Sequence, residues 1–221
     1  IDQSFSYGTN EIFSLTDLED DWNAFTPRAT LDWKFSDDHM LFMTYSEGYK
    51  SGIFISQSTS AVAAASTLEP EDAKNFEIGL KTEWLDNRLR VNATAFDLEV
   101  ENLQLFRLVN FLLVSDNASM DASGIELDFS AAITDNFTVS GIYSSLDATF
   151  NGGEFDGNKG RRAPDNKFSI TADYQTTIGH GGRLDIGTSV SYVDDYFNEV
   201  TNNDRSIQDS STTWDASIRY T

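Results

Sequence analysis

The groups best equipped for chemistry in this chain are its oxygens. Asp plus Glu number 36 against 15 Lys plus Arg, a formal charge of −21. Two carboxylates at a set separation can hydrolyse a glycosidic bond, and closely spaced oxygen donors can hold a hard cation such as calcium. FDGNKG at 155–160 and TNNDRS at 201–206 have that density of donors. Neither follows the twelve-residue calcium loop, so each reads first as a polar turn. Neighbouring carboxylates are expected by chance in so acidic a chain, and we assign no catalytic residue, metal ligand or cofactor. The two histidines, His39 and His180, stand in separate turns and read as solvated surface groups. Cysteine is absent, which removes disulfides, thiolate metal sites and cysteine nucleophiles together. No nucleophile-elbow, dinucleotide, phosphate-loop or zinc-protease pattern occurs, so an enzyme is not expected.

Two segments remain as candidates for ligand contact. Lys159, Arg161 and Arg162 form a basic cluster that is rare here, able to meet an anionic ligand or lipopolysaccharide phosphates; a solvated loop is the plainer reading. Residues 104–119 are unusually apolar for a connection, and Phe106, Arg107 and Phe111 are the candidates there. Extension of strands beyond a membrane accounts for that stretch most simply; capping a lumen or touching an apolar part of a ligand are its other uses. The acidity excludes nucleic acid as a partner, because phosphate binding needs basic surface.

The elements that position these residues are strands. In NFEIGLKTEW, Phe76, Ile78, Leu80 and Trp84 fall on one face and Glu77, Lys81 and Glu83 on the other, the period-two signature. LDNR supplies a turn. Leu89, Val91, Ala93 and Ala95 then resume the alternation, and a change of parity to Phe96, Leu98 and Val100 predicts a bulge near Ala95–Phe96. The same unit recurs around SDDH, TDN and TIGHGG, and residues 212–220 open one more strand. That makes nine strands, with a tenth expected at residues 2–8. Links within each pair are tight. Links between pairs, near 51–70, 104–119, 150–163 and 195–211, are long and polar apart from the second.

This predicts an all-β fold: an antiparallel up-and-down meander of about 9–10 long strands, with short turns at one end and long loops at the other. Transmembrane β-barrels are laid out in this way. Runs of about 10–14 residues suit a membrane crossing better than the roughly 5–6 residues of an average soluble strand. Trp33, Phe35, Trp84 and Phe137 stand beside the short turns, where an interfacial aromatic girdle would lie. No segment approaches the roughly 20 apolar residues of a spanning helix, and the first ten residues lack the character of a signal peptide.

Several motifs then resemble one family in its own order. SEGYKSG at 46–52, LEPEDAKNFEIGL at 68–80, Asp86 with Arg88 in the following turn, Gly124 with Glu126, and Pro164 with Phe168 look like the C-terminal barrel of TonB-dependent outer-membrane receptors. The resemblance implies a piece of a 22-strand barrel in the outer membrane of a Gram-negative bacterium, in contact with membrane lipid and lipopolysaccharide. It also implies import of a scarce solute with TonB-coupled energy: a ferric siderophore foremost, cobalamin or a glycan otherwise. Neither the family's plug domain nor its TonB box is found in residues 1–221, which therefore read as a partial barrel domain. A passive porin-type barrel, or a soluble β-rich carbohydrate-binding or enzymatic domain, are the alternatives. In each membrane reading Phe76, Ile78, Leu80 and Trp84 face lipid, as do Ile125, Leu127 and Phe129, while Glu77, Lys81, Glu83, Glu126 and Asp128 face the lumen.

Overall fold

The computed structural model describes residues 3–7, 10–15, 19–55, 66–109 and 112–221. Its main element is one nine-stranded antiparallel sheet in which every neighbour in sequence is a neighbour in space. The strands are β1 (Arg28–Lys34), β2 (His39–Lys50), β3 (Glu71–Trp84), β4 (Leu89–Val109), β5 (Leu112–Thr134), β6 (Phe137–Asn151), β7 (Asn166–Ile178), β8 (Gly182–Val193) and β9 (Ser211–Tyr220). Helix is confined, among the described residues, to single 3₁₀ turns at Gly153–Phe155 and Asp204–Ser206. Short links join β1 to β2, β3 to β4, β5 to β6 and β7 to β8; all lie at one end of the sheet. Asp86 and Asn87 adopt φ of 53° and 65° in the β3–β4 turn, a conformation their short polar side chains tolerate.

The sheet is open. β1 pairs only with β2 and β9 only with β8 among the described residues. The tenth strand expected at residues 2–8 exists as Gln3–Tyr7, but it pairs with Asn10–Leu15 in a separate hairpin and not with the sheet. The first edge is therefore Arg28–Lys34.

Two further expectations are corrected. The register runs through Ala95↔Ile78 and Phe96↔Glu77 without interruption, so no bulge lies there. Parity is kept, and Phe96 lies on the polar face because it covers a glycine: a Cβ on Gly124 would meet its ring carbon at 2.7 Å. The register shift in β4 comes instead between Val100 and Leu103, where Asn102 takes φ 56°. The connection foreseen at 104–119 is strand over 104–109 and 112–119. β4 and β5, 21 and 23 residues long, continue as a hairpin well past their neighbours. The extension reading holds because Leu103, Leu105, Ala118 and Met120 have apolar loop residues to pack against.

The two faces of the sheet differ sharply. One carries Leu31, Trp33, Phe76, Ile78, Leu80, Trp84, Ile125, Leu127, Ile170, Ile186, Trp214 and Ile218, all exposed. The other carries Glu77, Lys81, Asp128, Lys167 and Asp185. Two hollows of the sheet open on this second face. One, of about 400 Å³, is lined by Glu126, Asp128, Ile142, Ser144, Lys167, Ser169 and Ser191. Another is lined by Lys34, Met40, Lys81 and Arg90. The charged face is thus concave and the apolar face convex, the inverse of a soluble sheet wrapped round its core. No large side chain is fully buried among the described residues. What core there is, Phe150, Phe155 and Val200, sits at the long-loop end.

Candidate functional site

The loop-end core organises the residues that the sequence singled out. Leu103, Leu105, Ala118 and Met120 of the β4–β5 hairpin pack against Phe150 of β6, Phe155 of the 152–165 loop and Val200 of the 194–210 loop. The two loops are then stitched together by carboxamides. Asn158 Nδ2 donates to Val200 O at 2.9 Å, Lys159 N to Asn202 Oδ1 at 2.6 Å, and Asn202 Nδ2 to Lys159 O at 3.0 Å. FDGNKG and TNNDRS, each weighed above as a cation loop, thus meet and spend donors and acceptors on one another. Among the described residues no cluster of three or more acidic or histidine side chains is arranged to hold a metal.

Arg107 belongs to this framework. Its guanidinium makes a bidentate pair with Glu154, at 3.1 and 2.6 Å, and lies 5.0 Å over the Phe155 ring. It ties the 152–165 loop to the hairpin. Lys159 is paired with Asp165. Arg162, at φ 56°, donates from Nε to Asn198 Oδ1 at 3.3 Å and from its backbone N to Phe197 O at 2.8 Å. Arg161 is exposed and makes no ion pair among the described residues. Phe106 is 46% exposed on the convex side of the hairpin. Phe111 lies outside the described residues. Of the six candidates, then, Arg107 and Lys159 hold loops in place, while Phe106, Arg161 and Arg162 present surface.

Sequence reading passed over the residues that fasten the 51–70 link. Gln104, 6% exposed, donates from Nε2 to Ser51 O at 2.9 Å and Glu69 O at 3.1 Å, and its backbone N donates to Glu71 Oε1 at 2.8 Å. Asn117 accepts from Glu69 N at 2.9 Å and donates to Asn102 O at 2.6 Å. The available signal was a lone Gln interrupting an apolar run.

At the short-turn end His39 is not the solvated group expected. Its ring stacks on Phe35 at 5.6 Å and meets Trp84 edge-on at 4.4 Å, and its Nδ1 lies 2.6 Å from Ser36 Oγ. With Trp33, 5.7 Å from Phe35, these rings form an aromatic row along the lower rim of the convex face. His180, in the β7–β8 turn, is exposed as expected.

Residues 2–221 match a family model described as the TonB dependent receptor-like β-barrel. The chain is 25% identical over 213 residues to the ferrichrome outer membrane transporter/phage receptor of Escherichia coli K12, covering 96% of this chain and 27% of that protein. It is 25% identical to the metal-pseudopaline receptor CntO of Pseudomonas aeruginosa over 83% of this chain and 25% of that one. The chain thus spans about a quarter of the length of these curated relatives. Among solved structures, the ferric yersiniabactin uptake receptor FyuA of Yersinia pestis superposes with a TM-score of 0.74 at 19% identity, over 86% of this chain and 29% of that one.

Proposed function

This chain belongs to the TonB-dependent receptor β-barrel family of the Gram-negative outer membrane, and from that premise we propose that it is an arc of the wall of an active-transport receptor. One observation carries the reading. The sheet is open, with hydrogen-bonding edges at β1 and β9, and it presents an apolar convex face beside a charged concave one. Unpaired edges cannot persist in hydrocarbon, where backbone groups find no water. Further strands of a longer protein would close the wall, and a plug domain from outside this segment would fill its lumen.

The expected cargo is a scarce metal chelate, a ferric siderophore foremost, captured at the long-loop end and drawn inward by TonB-coupled energy. The names of the relatives, a ferrichrome transporter and a metal-pseudopaline receptor, support a chelate over cobalamin or a glycan. Phe106, Phe111, Arg161 and Arg162 are the contacts proposed, Arg107 and Lys159 the residues that hold their loops.

The test is uptake of labelled ferric chelates by cells carrying the full-length protein, with and without functional TonB. Uptake that requires TonB and falls in an R161A/R162A variant is the expected result. Uptake indifferent to TonB would replace this reading with a passive pore.

A further inference from the structure

The β4–β5 hairpin leaves the sheet at the long-loop end. Pairing of β3 with β4 stops at Glu101, and pairing of β6 with β5 stops at Ser119. Beyond those points Leu103–Val109 and residues 112–118 pair only with each other among the described residues. A two-stranded hairpin standing alone is marginally stable in water at best. This one is held through its faces, and alternation sorts its side chains between them. Leu103, Leu105, Arg107 and Ala118 share the face on which Met120 and Phe150 lie. Phe155 and Val200 cover that face, and Arg107 latches it to Glu154 at 3.1 and 2.6 Å. The loops at 152–165 and 194–210, joined through Asn158, Lys159 and Asn202, thereby make one cover. Gln104 and Asn117, a cross-strand pair, project from the other face. Gln104 holds Ser51 O and Glu69 O, and Asn117 holds both the N–H and the carbonyl of Glu69. The two ends of the 51–70 link are fastened in this way. Next to them Ile53–Phe54 pairs with Thr67–Leu68, with the Trp22 ring against Gly52 and Phe54.

We infer that the hairpin extension and the covers on its two faces open and close as one cooperative unit, separate from the wall below, with Gln104 and Arg107 as the positioning residues that couple its opposite sides. Loss of cover on one face leaves the hairpin with half its support, and a hairpin that frays releases the cover on the other. Local opening in contiguous cooperative units follows from such shared support. Coupling of this kind is reciprocal. A solute that steadies the 152–165 loop therefore steadies the 51–70 link as well, through the hairpin that stands between them, and the mouth responds as a whole.

The inference stands on the fold and goes beyond the identity of the cargo. Because this chain has no cysteine, a buried cysteine reports opening by its rate of reaction with a maleimide. Leu68→Cys, at a position 3% exposed, reports the link; Val200→Cys, at 7%, the opposite cover; and Thr82→Cys, at 4% in β3, the wall. Each is placed in the full-length protein in lipid vesicles, with any cysteine elsewhere replaced by serine, alone and together with Gln104→Ala or Arg107→Ala. Gln104→Ala removes two hydrogen bonds to the link and should speed labelling of Leu68→Cys about tenfold. Labelling of Val200→Cys, on the far face, should rise with it by about threefold or more. Arg107→Ala should act in the opposite sense, speeding Val200→Cys directly and Leu68→Cys through the hairpin. Thr82→Cys should be unchanged throughout. A rise confined to the side of the altered residue, or seen on neither side, overturns the coupling. A rise at Thr82→Cys in step with the others means that the whole sheet loosens, and overturns the separate unit. Where a variant fails to fold, amide exchange in the unaltered protein decides. The N–H of Ile55, bonded to Ser66 O, and that of Lys159, bonded to Asn202 Oδ1, lie in the two covers. They should share one opening constant to within about threefold, with Leu80 in the wall exchanging more slowly; constants further apart overturn the inference. Uptake enters none of these measurements, so this inference and the transport reading fail separately.

Discussion

Leu80→Arg is the sharpest test of which face meets lipid. Leu80 stands on the convex face, 37% exposed, paired across the sheet with Leu41 and Ala93. It lies four residues from Trp84 at one rim and four from Phe76 at the other, which puts it at the midplane of the apolar band. Arginine at the midplane of a barrel's lipid face costs ~2–4 kcal/mol, falling to ~0–1 near the interfaces. The expected loss is therefore ~30- to ~700-fold in the folding equilibrium at about 1.4 kcal/mol per decade. Ala95→Arg, one outward position below the switch to Asp97, should cost ~0–1 kcal/mol by the same depth rule. Thr171→Arg, on the concave face between Ser140 and Ser189, should cost under about 0.5 kcal/mol, the range of ordinary surface changes. The assay is reversible guanidinium unfolding of the full-length protein from lipid vesicles. Equal costs at Leu80 and Thr171, or a cost at Leu80 below about 0.5 kcal/mol, would refute the orientation.

Three more expectations can be measured directly. Arg107→Ala removes a bidentate pair and a ring contact, and should raise hydrogen exchange across 152–165 by an opening cost of ~1–2 kcal/mol; unchanged protection would show that the Phe150–Phe155–Val200 packing alone holds the loop. Gly124→Ala would bring a Cβ to 2.3 Å from Ser145 O, a backbone atom that cannot swing away, and should cost ~1–3 kcal/mol in unfolding; a neutral change would show that the β5–β6 ladder is looser than described. Asp194, beyond the end of β8, has its carboxyl held below the ordinary carboxylate value, by the Asn166 side chain first and by Tyr192 next. A lowered folded value means that its stabilising contribution is complete above the ordinary range and is lost only as pH falls through the lowered value. The side-chain NMR signals of Asp194 and Asn166 should therefore hold steady from about pH 7 to about pH 5; a titration inside that window would sink the linkage.

How far the sequence reaches is clear from particular residues. Alternation along Phe76–Trp84 and Ile125–Phe129 shows which side chains share a face, because successive residues of a strand point to opposite sides and that relation is local. Turn chemistry at Asp86–Asn87 and Gly179–Gly181 locates the hairpins for the same reason. With tight turns and long links alternating, the meander order follows, and the apolar and charged faces with it. Outcomes that depend on contact between distant segments were not legible. Phe96 breaks the apolar pattern of its strand because Gly124, on the next strand, leaves room beneath its ring. Residues 104–109 and 112–119 are strand rather than loop because Phe155 and Val200, from two later connections, cover one side of the hairpin. Arg107 and Lys159 read as free cations until Glu154 and Asp165 are brought beside them. His39 reads as a surface group until Phe35 and Trp84 close on its ring. Backbone alternation is written residue by residue along the chain. The pairing of a charge, the cover over an apolar side chain and the edge at which a sheet stops are set by whatever the fold brings alongside, and only the assembled sheet decides them.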